Sequence, residues 1–244
     1  MNRALTSVKQ LSRNPASIRR YYSAFTKSAI PSSELGNPFV PFKRFIDEAK
    51  QQNNQVTNEF SMATVTKDNK PDNRFMIAKE VNEDGTLIFY TNQDSALGEE
   101  LQNNPNVSCN FYWPDLGRSA RVRGQVEHCT KEESNEYWKS RSMEKQANAV
   151  VSNQGDQLQS KEGLEEKVEQ KTKEAKEAGG LNRPDDWHGY RVWCDSIELW
   201  AEGEAKANMH NRIQWDRQIQ RKGKDPTDAQ GFKAGEWSHK LLQP

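Results

Sequence analysis

The sequence predicts a mainly β protein with peripheral helices, built as an antiparallel barrel of six or seven strands. Residues 107–113 and 120–127 alternate apolar with polar side chains, which is typical of strands with one buried and one solvated face. The Asp84-Gly85 pair lies between two apolar segments and favours a hairpin turn. No apolar run approaches the roughly 20 residues that span a bilayer, so no membrane helix is expected.

The predicted elements follow one another along a single domain. A helix is expected over residues 38–52, because Phe39, Phe42 and Phe45 recur at helical spacing after a Gly-Asn-Pro start. Strands are expected at residues 60–66, 74–81, 86–91, 107–113, 120–127, 189–200 and 237–242. Further helices are expected at residues 95–103, 131–139, 146–151 and 160–178. The polar residues 221–236 are predicted to form a loop.

Composition argues against several function classes. Lys plus Arg equals Asp plus Glu, so no net charge draws the chain to nucleic acid or to an anionic membrane. The three cysteines lie far apart and the four histidines lack metal-ligand spacing, so neither a disulfide framework nor a metal site is predicted. With only 33% hydrophobic residues, the core is lean for a lone monomer, which favours a homodimer.

The first 33 residues are basic, with six Lys or Arg and no acid before Glu34. This composition is typical of a mitochondrial transit peptide, and a flexible basic arm explains it equally well. We therefore expect residues 1–35 to be a basic arm or a partial targeting segment, and residues 36–244 to be the barrel domain. The expected compartment is the cytoplasm, with the mitochondrion as the alternative.

Arg, Lys, Tyr and Trp residues gather at the ends of the predicted strands. Guanidinium and ammonium groups bind phosphate oxygens, and aromatic rings pack against flat heterocycles, so this set suits a phosphorylated aromatic ligand. No Gly-rich phosphate loop and no nucleophile elbow is found in the sequence.

Segments with this chemistry occur in the order found in the pyridoxamine 5'-phosphate oxidase family, which the chain resembles over about residues 18–244. They are Arg74-Phe-Met-Ile-Ala-Lys79, Phe89-Tyr-Thr-Asn92, Asn103-Asn-Pro-Asn-Val-Ser108, Trp113 to Arg118, Gly124-Gln-Val-Glu127, Tyr137-Trp-Lys-Ser-Arg141, Trp187-His-Gly-Tyr-Arg-Val192, Ile197-Glu-Leu-Trp200, His210-Asn-Arg212 and Trp237 to Pro244. One such motif carries little weight, whereas the ordered set makes a chance resemblance improbable.

The resemblance implies an FMN-binding split β-barrel that forms a homodimer, with a dimerisation region towards the C-terminus and two cofactor sites at the interface. Members of the family oxidise pyridoxamine 5'-phosphate or pyridoxine 5'-phosphate to pyridoxal 5'-phosphate. FMN accepts a hydride equivalent from the vitamer, and O2 is the final acceptor. In such an enzyme the protein orients the two rings and balances charge.

The resemblance also assigns roles to individual residues. His210 matches the histidine beside the substrate ring and is the candidate catalytic residue. The implied cofactor-binding residues are Arg74, Phe75, Met76, Ile77, Lys79, Tyr90, Thr91, Gln154, Trp200 and Arg212. The implied substrate-binding residues are Lys79, Tyr137, Arg141, His210, Arg19, Arg20 and Tyr22. Tyr137 and Arg141 are four residues apart, so a helix would place them on one face.

Several positions depart from the family pattern. Ala96 and Leu97 stand where the family has an Arg-Lys pair for the FMN phosphate, and Ser119 replaces a Gln. Lys145 replaces a phosphate-binding Ser, and Asn208 replaces a substrate-binding Arg. Three hypotheses follow: an active oxidase, a divergent split-barrel protein that binds FMN or pyridoxal 5'-phosphate without efficient oxidation, and a split-barrel flavoenzyme that acts on another substrate. Arg74 and Lys79 are five residues apart, so a regular strand would place them on opposite faces, and a bend or a second subunit must reconcile them.

Overall fold

The computed structural model describes residues 30–52, 57–203, 210–224, 227 and 229–243. Arg19, Arg20, Tyr22 and Asn208 lie outside these residues, so their predicted roles and the basic arm stay predictions. The helices are α1 (Phe39–Gln51), α2 (Ala96–Asn103), α3 (Lys131–Ser140), α4 (Met143–Val151) and α5 (Lys161–Ala178). The strands are β1 (Glu59–Val65), β2 (Pro71–Ile77), β3 (Glu80–Asn82), β4 (Thr86–Asn92), β5 (Asn106–Trp113), β6 (Arg118–His128), β7 (Trp187–Ala201), β8 (Asn211–Asp216), β9 (Ile219–Arg221), β10 (Phe232–Ala234) and β11 (Ser238–Leu241).

One antiparallel sheet organises the domain, in the order β11-β8-β7-β6-β5-β1-β2, with β4 and β3 joined to β7. The 15-residue strand β7 pairs with β6 along nearly its whole length, with β4 over its first half and with β8 over its second half. The sheet therefore splits at the middle of β7, where the register with β6 shifts between Arg123 and Gly124. Gly124 is required there, because a Cβ would lie 2.2 Å from the Trp193 carbonyl oxygen.

The core lies between the inner face of the sheet and α1. Phe42 and Phe45 of α1 are fully buried, and Phe42 packs edge-on against Phe111 of β5 with ring centroids 5.0 Å apart. Phe60 of β1 stacks on the same Phe111 ring, also at 5.0 Å. Each such ring, once buried, contributes about 2–3 kcal/mol, so this aromatic contact anchors α1 to the sheet.

The opposite side of the sheet, called here the outer face, carries polar side chains. One row of residues runs across it in register: Ser61, Asn110, Arg121, Glu198 and Gln214. The alternation predicted for residues 107–113 and 120–127 is confirmed by the buried and exposed positions of β5 and β6.

The predicted antiparallel barrel is confirmed, and most of the predicted elements agree to within a few residues. The described residues form more strands than expected, because β8, β9 and β10 were not predicted and the predicted strand 74–81 is divided into β2 and β3. β10 lies inside the predicted loop 221–236 and pairs with β9. Three-residue strands gain their stability from the partner strand rather than from local sequence, so alternation does not reveal them. Among the described helices, none is long and apolar enough to cross a membrane.

Two histidines stack at one end of the β6–β7 pair. The rings of His128 and His188 are 4.6 Å apart between centroids, at an interplanar angle of 26°. Burial lowers the pKa of His188 from its ordinary value, and the charge of Arg183 acts in the same direction, while two neighbouring aspartates act against it. The unfolded chain therefore binds a proton at this residue at a higher pH than the folded chain does.

We expect the free energy of unfolding to decrease as pH falls below about 6.5, where the unfolded chain begins to protonate His188. Urea unfolding followed at a series of pH values measures this dependence. The substitution His188→Gln should flatten it, whereas His239→Gln, at an exposed position of β11, should leave it unchanged. Equal effects of the two substitutions would contradict the assignment.

Candidate active site

Three aromatic rings pack together on the outer face, where α3 covers β4 and β7. Tyr90 of β4 is nearly parallel to Tyr137 of α3, with ring centroids 3.9 Å apart, and to Trp187 of β7, at 5.0 Å. Gly189 pairs with Tyr90, and a Cβ there would lie 2.8 Å from the tyrosine ring, so the glycine makes room for this aromatic stack. Burial raises the pKa of both tyrosines, so their hydroxyls stay protonated at neutral pH.

Arg141 lies beside the aromatic stack. Its guanidinium carbon is 4.9 Å from the Trp187 ring centroid and 5.6 Å from that of Trp138. One of its terminal nitrogens donates a hydrogen bond to the Lys145 carbonyl oxygen at 2.9 Å, while its Nε is buried and has no hydrogen-bond partner. A buried donor without a partner is unusual, and a ligand acceptor would satisfy it.

The expected helical pairing of Tyr137 with Arg141 is corrected by the structure. α3 ends at Ser140, and Arg141 is the extended residue that follows it, with φ −74° and ψ 145°. The two side chains are still near each other, and the charge of Arg141 therefore acts to lower the pKa of the Tyr137 hydroxyl. Their proximity therefore comes from the turn between α3 and α4 and not from a shared helix face.

Two lysines complete a group of cations around Arg141, named here the cation cluster (Lys79, Arg141 and Lys145). Burial lowers the pKa of Lys79, and the nearby charge of Arg141 lowers it further. Lys145 lies close enough to Tyr137 for its charge to act on that hydroxyl. Within the part of the chain that the structure describes, none of the three forms an ion pair. Like charges gathered without carboxylates favour the binding of an anion.

Thr91 and Gln154 meet at the end of β4. The Thr91 hydroxyl donates to the Gln154 side-chain oxygen at 3.3 Å, so the loop after α4 reaches the strand within one chain. Ser95, four residues on, caps α2 by accepting a hydrogen bond from the Gly98 amide at 3.2 Å. The structure therefore brings the predicted cofactor residues Thr91 and Gln154 together, and Tyr90 precedes Thr91 on β4.

Residues 74–77 divide between the two faces of β2. Arg74 pairs with Met62, a core residue, and points inward together with Met76, whereas Phe75 is 83% exposed on the outer face with Ile77. β2 ends at Ile77, and at residues 78 and 79 the chain leaves β1 and joins β4. This break removes the strict alternation between Arg74 and Lys79, so the bend that the sequence required is present.

Arg74 is already paired inside the protein. A terminal nitrogen of Arg74 is 2.8 Å from a Glu100 carboxylate oxygen and 2.5 Å from an Asp72 carboxylate oxygen. The Thr64 hydroxyl accepts from the same guanidinium and donates to Glu100. Sequence reasoning did not identify Glu100, because an ion pair between a strand and a helix leaves no local signal.

The remaining predicted residues line a separate groove of about 410 Å³ on the outer face. The rings of Trp200 and His210 are 4.9 Å apart, and the His210 Nδ1 accepts a hydrogen bond from the Gly203 amide at 3.3 Å. The Arg212 Nε donates to the Glu198 carboxylate at 2.8 Å, and Arg121 pairs with the same carboxylate.

One chain does not bring this groove to the aromatic stack. Trp187 and Trp200 lie 13 residues apart on β7, a separation of about 40 Å along an extended strand. His210 and Arg212 accompany Trp200, while Tyr137 and Arg141 accompany Trp187. The substrate role predicted for His210 therefore requires a second copy of the chain.

The altered positions differ in their surroundings. Leu97 is 5% exposed and belongs to the hydrophobic core, whereas its neighbour Ala96 is exposed at the start of α2. Ser119 lies on the outer face and lines the groove beside Trp200. Among the described residues, no group of three or more His, Cys, Asp or Glu side chains could hold a metal ion.

Comparison with known proteins identifies relatives over most of the chain. A family model described as pyridoxamine 5'-phosphate oxidase matches residues 46–173. The chain is 32% identical over 232 residues to the pyridoxine/pyridoxamine 5'-phosphate oxidase of Legionella pneumophila (strain Paris), covering 95% of this chain and 98% of that protein.

Solved structures share the fold. PhzG from Burkholderia lata 383, in complex with tetrahydrophenazine-1-carboxylic acid, aligns with a TM-score of 0.72 at 24% identity, covering 88% of this chain and 98% of that one. A pyridoxamine 5'-phosphate oxidase-related, FMN binding protein from Nostoc punctiforme PCC 73102 aligns with a TM-score of 0.60 at 18% identity, covering 84% of this chain and 98% of that one. The split-barrel fold is thereby confirmed.

We expect Leu97→Lys to lower the free energy of unfolding by about 2–4 kcal/mol, because it removes core contacts and buries an ammonium group. Ala96→Lys introduces the same side chain at the neighbouring exposed position and should change stability by less than about 0.5 kcal/mol. Urea denaturation of both variants gives the comparison. A similar small effect at both positions would show that Leu97 is not part of the core.

Proposed function

The chain belongs to the pyridoxamine 5'-phosphate oxidase family, and from that premise we propose that it is an FMN-dependent oxidase of phosphorylated B6 vitamers. Its substrate would be pyridoxamine 5'-phosphate or pyridoxine 5'-phosphate, its product pyridoxal 5'-phosphate and its acceptor O2. The observation that carries the proposal is the cation cluster, whose three charges lack carboxylate partners among the described residues.

A vitamer phosphate is the anion that suits the cation cluster. Arg141 offers a buried Nε without a partner, and Lys79 and Lys145 add point charges. Each charge-assisted hydrogen bond to a phosphate contributes about 1.5–3 kcal/mol. The Tyr137 hydroxyl stays protonated because burial raises its pKa, so it can donate a further hydrogen bond.

The pyridine ring of the vitamer suits the aromatic surroundings of the cluster. Tyr137 and Trp187 are nearly parallel, with an interplanar angle of 3°. Flat heterocycles pack favourably against such rings, and the adjacent cations fix which end carries the phosphate. This combination orients a substrate before any chemistry takes place.

A homodimer would complete the site. His210 and Arg212 accompany Trp200, which lies about 40 Å along β7 from Trp187, so they are too far away to act on a vitamer held by the same chain. The outer face also exposes large apolar side chains, Phe75 and Ile77 of β2 and Tyr112 of β5, which a second copy would cover. The partner's groove would then stand beside the cation cluster.

The donor set fits the ring and ribityl chain of FMN. The Thr91 hydroxyl and the Gln154 amide of one chain would hold these parts, together with the partner's Trp200 and the partner's Arg212 across the dimer. Bound FMN supplies the acceptor for a hydride equivalent from the vitamer's C4' carbon. Binding of the FMN phosphate would be weaker, because Ala96 and Leu97 carry no charge and Arg74 is paired with carboxylates.

His210 would orient the vitamer rather than hold the cofactor. The Gly203 amide donates to its Nδ1, so a neutral His210 carries its proton on Nε2. This proton can donate a hydrogen bond to a polar group of the vitamer ring. The Trp200 ring packs against the imidazole, with ring centroids 4.9 Å apart, and keeps it in that orientation.

A second candidate function is a split-barrel protein that binds FMN or pyridoxal 5'-phosphate without efficient oxidation. This alternative is favoured by the ion pair of Arg74 and by the uncharged side chains of Ala96 and Leu97. All three features lower the affinity for a flavin phosphate. The cation cluster serves both functions, so vitamer binding alone does not separate them.

Purified chain incubated with FMN and pyridoxamine 5'-phosphate should release hydrogen peroxide, which a peroxidase-coupled assay measures. Pyridoxamine without its phosphate is the matched control and should react far more slowly, because it cannot use the cation cluster. Tight vitamer binding without peroxide release would favour the non-oxidising alternative. Absence of both vitamer binding and peroxide would refute the proposed function.

Arg141→Ala should weaken binding of pyridoxal 5'-phosphate by about tenfold or more, because a charge-assisted contact to the phosphate is lost. Fluorescence titration measures this affinity, and a parallel titration with FMN should show no change. Lys139→Ala, an exposed cation two residues away at the end of α3, is the control and should bind as the unsubstituted chain does. Equal loss of vitamer and FMN would contradict the role of Arg141.

A further inference from the structure

A partly buried charge cluster lies where α2 meets β1 and β2. Glu100 of α2 has a side chain only 8% exposed, and its carboxylate lies 2.8 Å from the Arg74 guanidinium. Thr64, itself 2% exposed, bridges the two by hydrogen bonding to both. Asp72 pairs with the same guanidinium from a more exposed position, with 51% of its side chain accessible.

This cluster carries a net negative charge. One guanidinium faces two carboxylates, so its own charge is more than compensated. A phosphate approaching Arg74 would meet the field of Glu100 and Asp72 before it gained a contact. In a partly buried site this repulsion is screened less than at the surface.

Of the two carboxylates, Glu100 repels an approaching phosphate more strongly. It is nearly enclosed, so water screens it little, whereas Asp72 is half exposed and its pairing with Arg74 is correspondingly weak. Glu100 also lies on α2, one turn after Leu97, the position at which the family carries a cation for the flavin phosphate. This helix therefore lacks the family's cations and carries a carboxylate beside Arg74.

We propose that Glu100 holds Arg74 in an internal ion pair and thereby keeps the affinity of this chain for the phosphate end of a flavin low. This inference rests on the proposed function, because it concerns the cofactor that the proposed oxidase would use. Flavin occupancy would accordingly depend on the FMN concentration around the protein. The vitamer phosphate is unaffected, since the cation cluster uses other residues.

Glu100→Gln tests the proposal in the full chain. Glutamine keeps the size of the side chain and an oxygen that can accept from Arg74, and it removes the charge. Affinities for FMN and for riboflavin, which lacks the phosphate, are measured by quenching of flavin fluorescence. We expect FMN affinity to rise about tenfold, the factor that corresponds to 1.4 kcal/mol, and riboflavin affinity to stay unchanged.

Two controls identify the source of the gain. Glu99→Gln removes a neighbouring, exposed charge from the same helix and should leave FMN affinity unchanged. The double substitution Arg74→Gln with Glu100→Gln should lose the gain, because the guanidinium that the first substitution releases is then absent. Should Glu100→Gln not fold, Asp72→Asn removes the exposed carboxylate from Arg74, with an expected gain in FMN affinity of about twofold.

The outcomes separate this inference from the proposed function. An equal gain for FMN and riboflavin, no gain for FMN in Glu100→Gln, or no gain in Asp72→Asn where it replaces that test, would overturn the role of Glu100 and leave the oxidase intact. A strong preference for FMN over riboflavin in the unsubstituted chain would do the same. Failure of every variant to bind either flavin would overturn both proposals.

Discussion

Strand β7 is the constraint on which the rest of the structure depends. Its 15 residues are hydrogen-bonded on both sides, to β6 along nearly the whole strand and to β4 or β8 on the other edge. Because backbone pairing holds the strand extended, its two ends cannot approach each other. The aromatic stack at one end and the Trp200 groove at the other therefore lie apart within one chain, and the proposed function needs a second copy of the chain to bring them together.

The pairing of charges distinguishes the two ligands that the family uses. Arg74, Arg121 and Arg212 each face a carboxylate, whereas Lys79, Arg141 and Lys145 face none among the described residues. A cation that is already compensated gains less from a phosphate than one that is not. Under the proposed function, the site would therefore favour the phosphate of a vitamer over the phosphate of a flavin, although similar side chains would bind both.

Much of the fold could be predicted because its signals are local. Alternation identified β5 and β6, aromatic spacing identified α1, and the Asp84-Gly85 pair marked the hairpin between β3 and β4. Within the candidate site, Tyr90, Tyr137 and Arg141 were identified from the sequence and do lie together. Strands β8, β9 and β10 were not predicted, and the three-residue strands β9 and β10 are stabilised by their partner strands rather than by their own residues.

The sequence by itself determined the family, the strand faces and the cationic and aromatic residue types of the candidate site. Only the tertiary structure decided which charges are compensated and which side chains of one chain can meet. Glu100 reaches Arg74 because α2 packs over the end of the barrel, and Arg141 reaches Trp187 because α3 ends one residue earlier. Both contacts join elements that are distant in sequence. Their energy depends on how the elements pack in space, and no periodic pattern in the sequence predicts them.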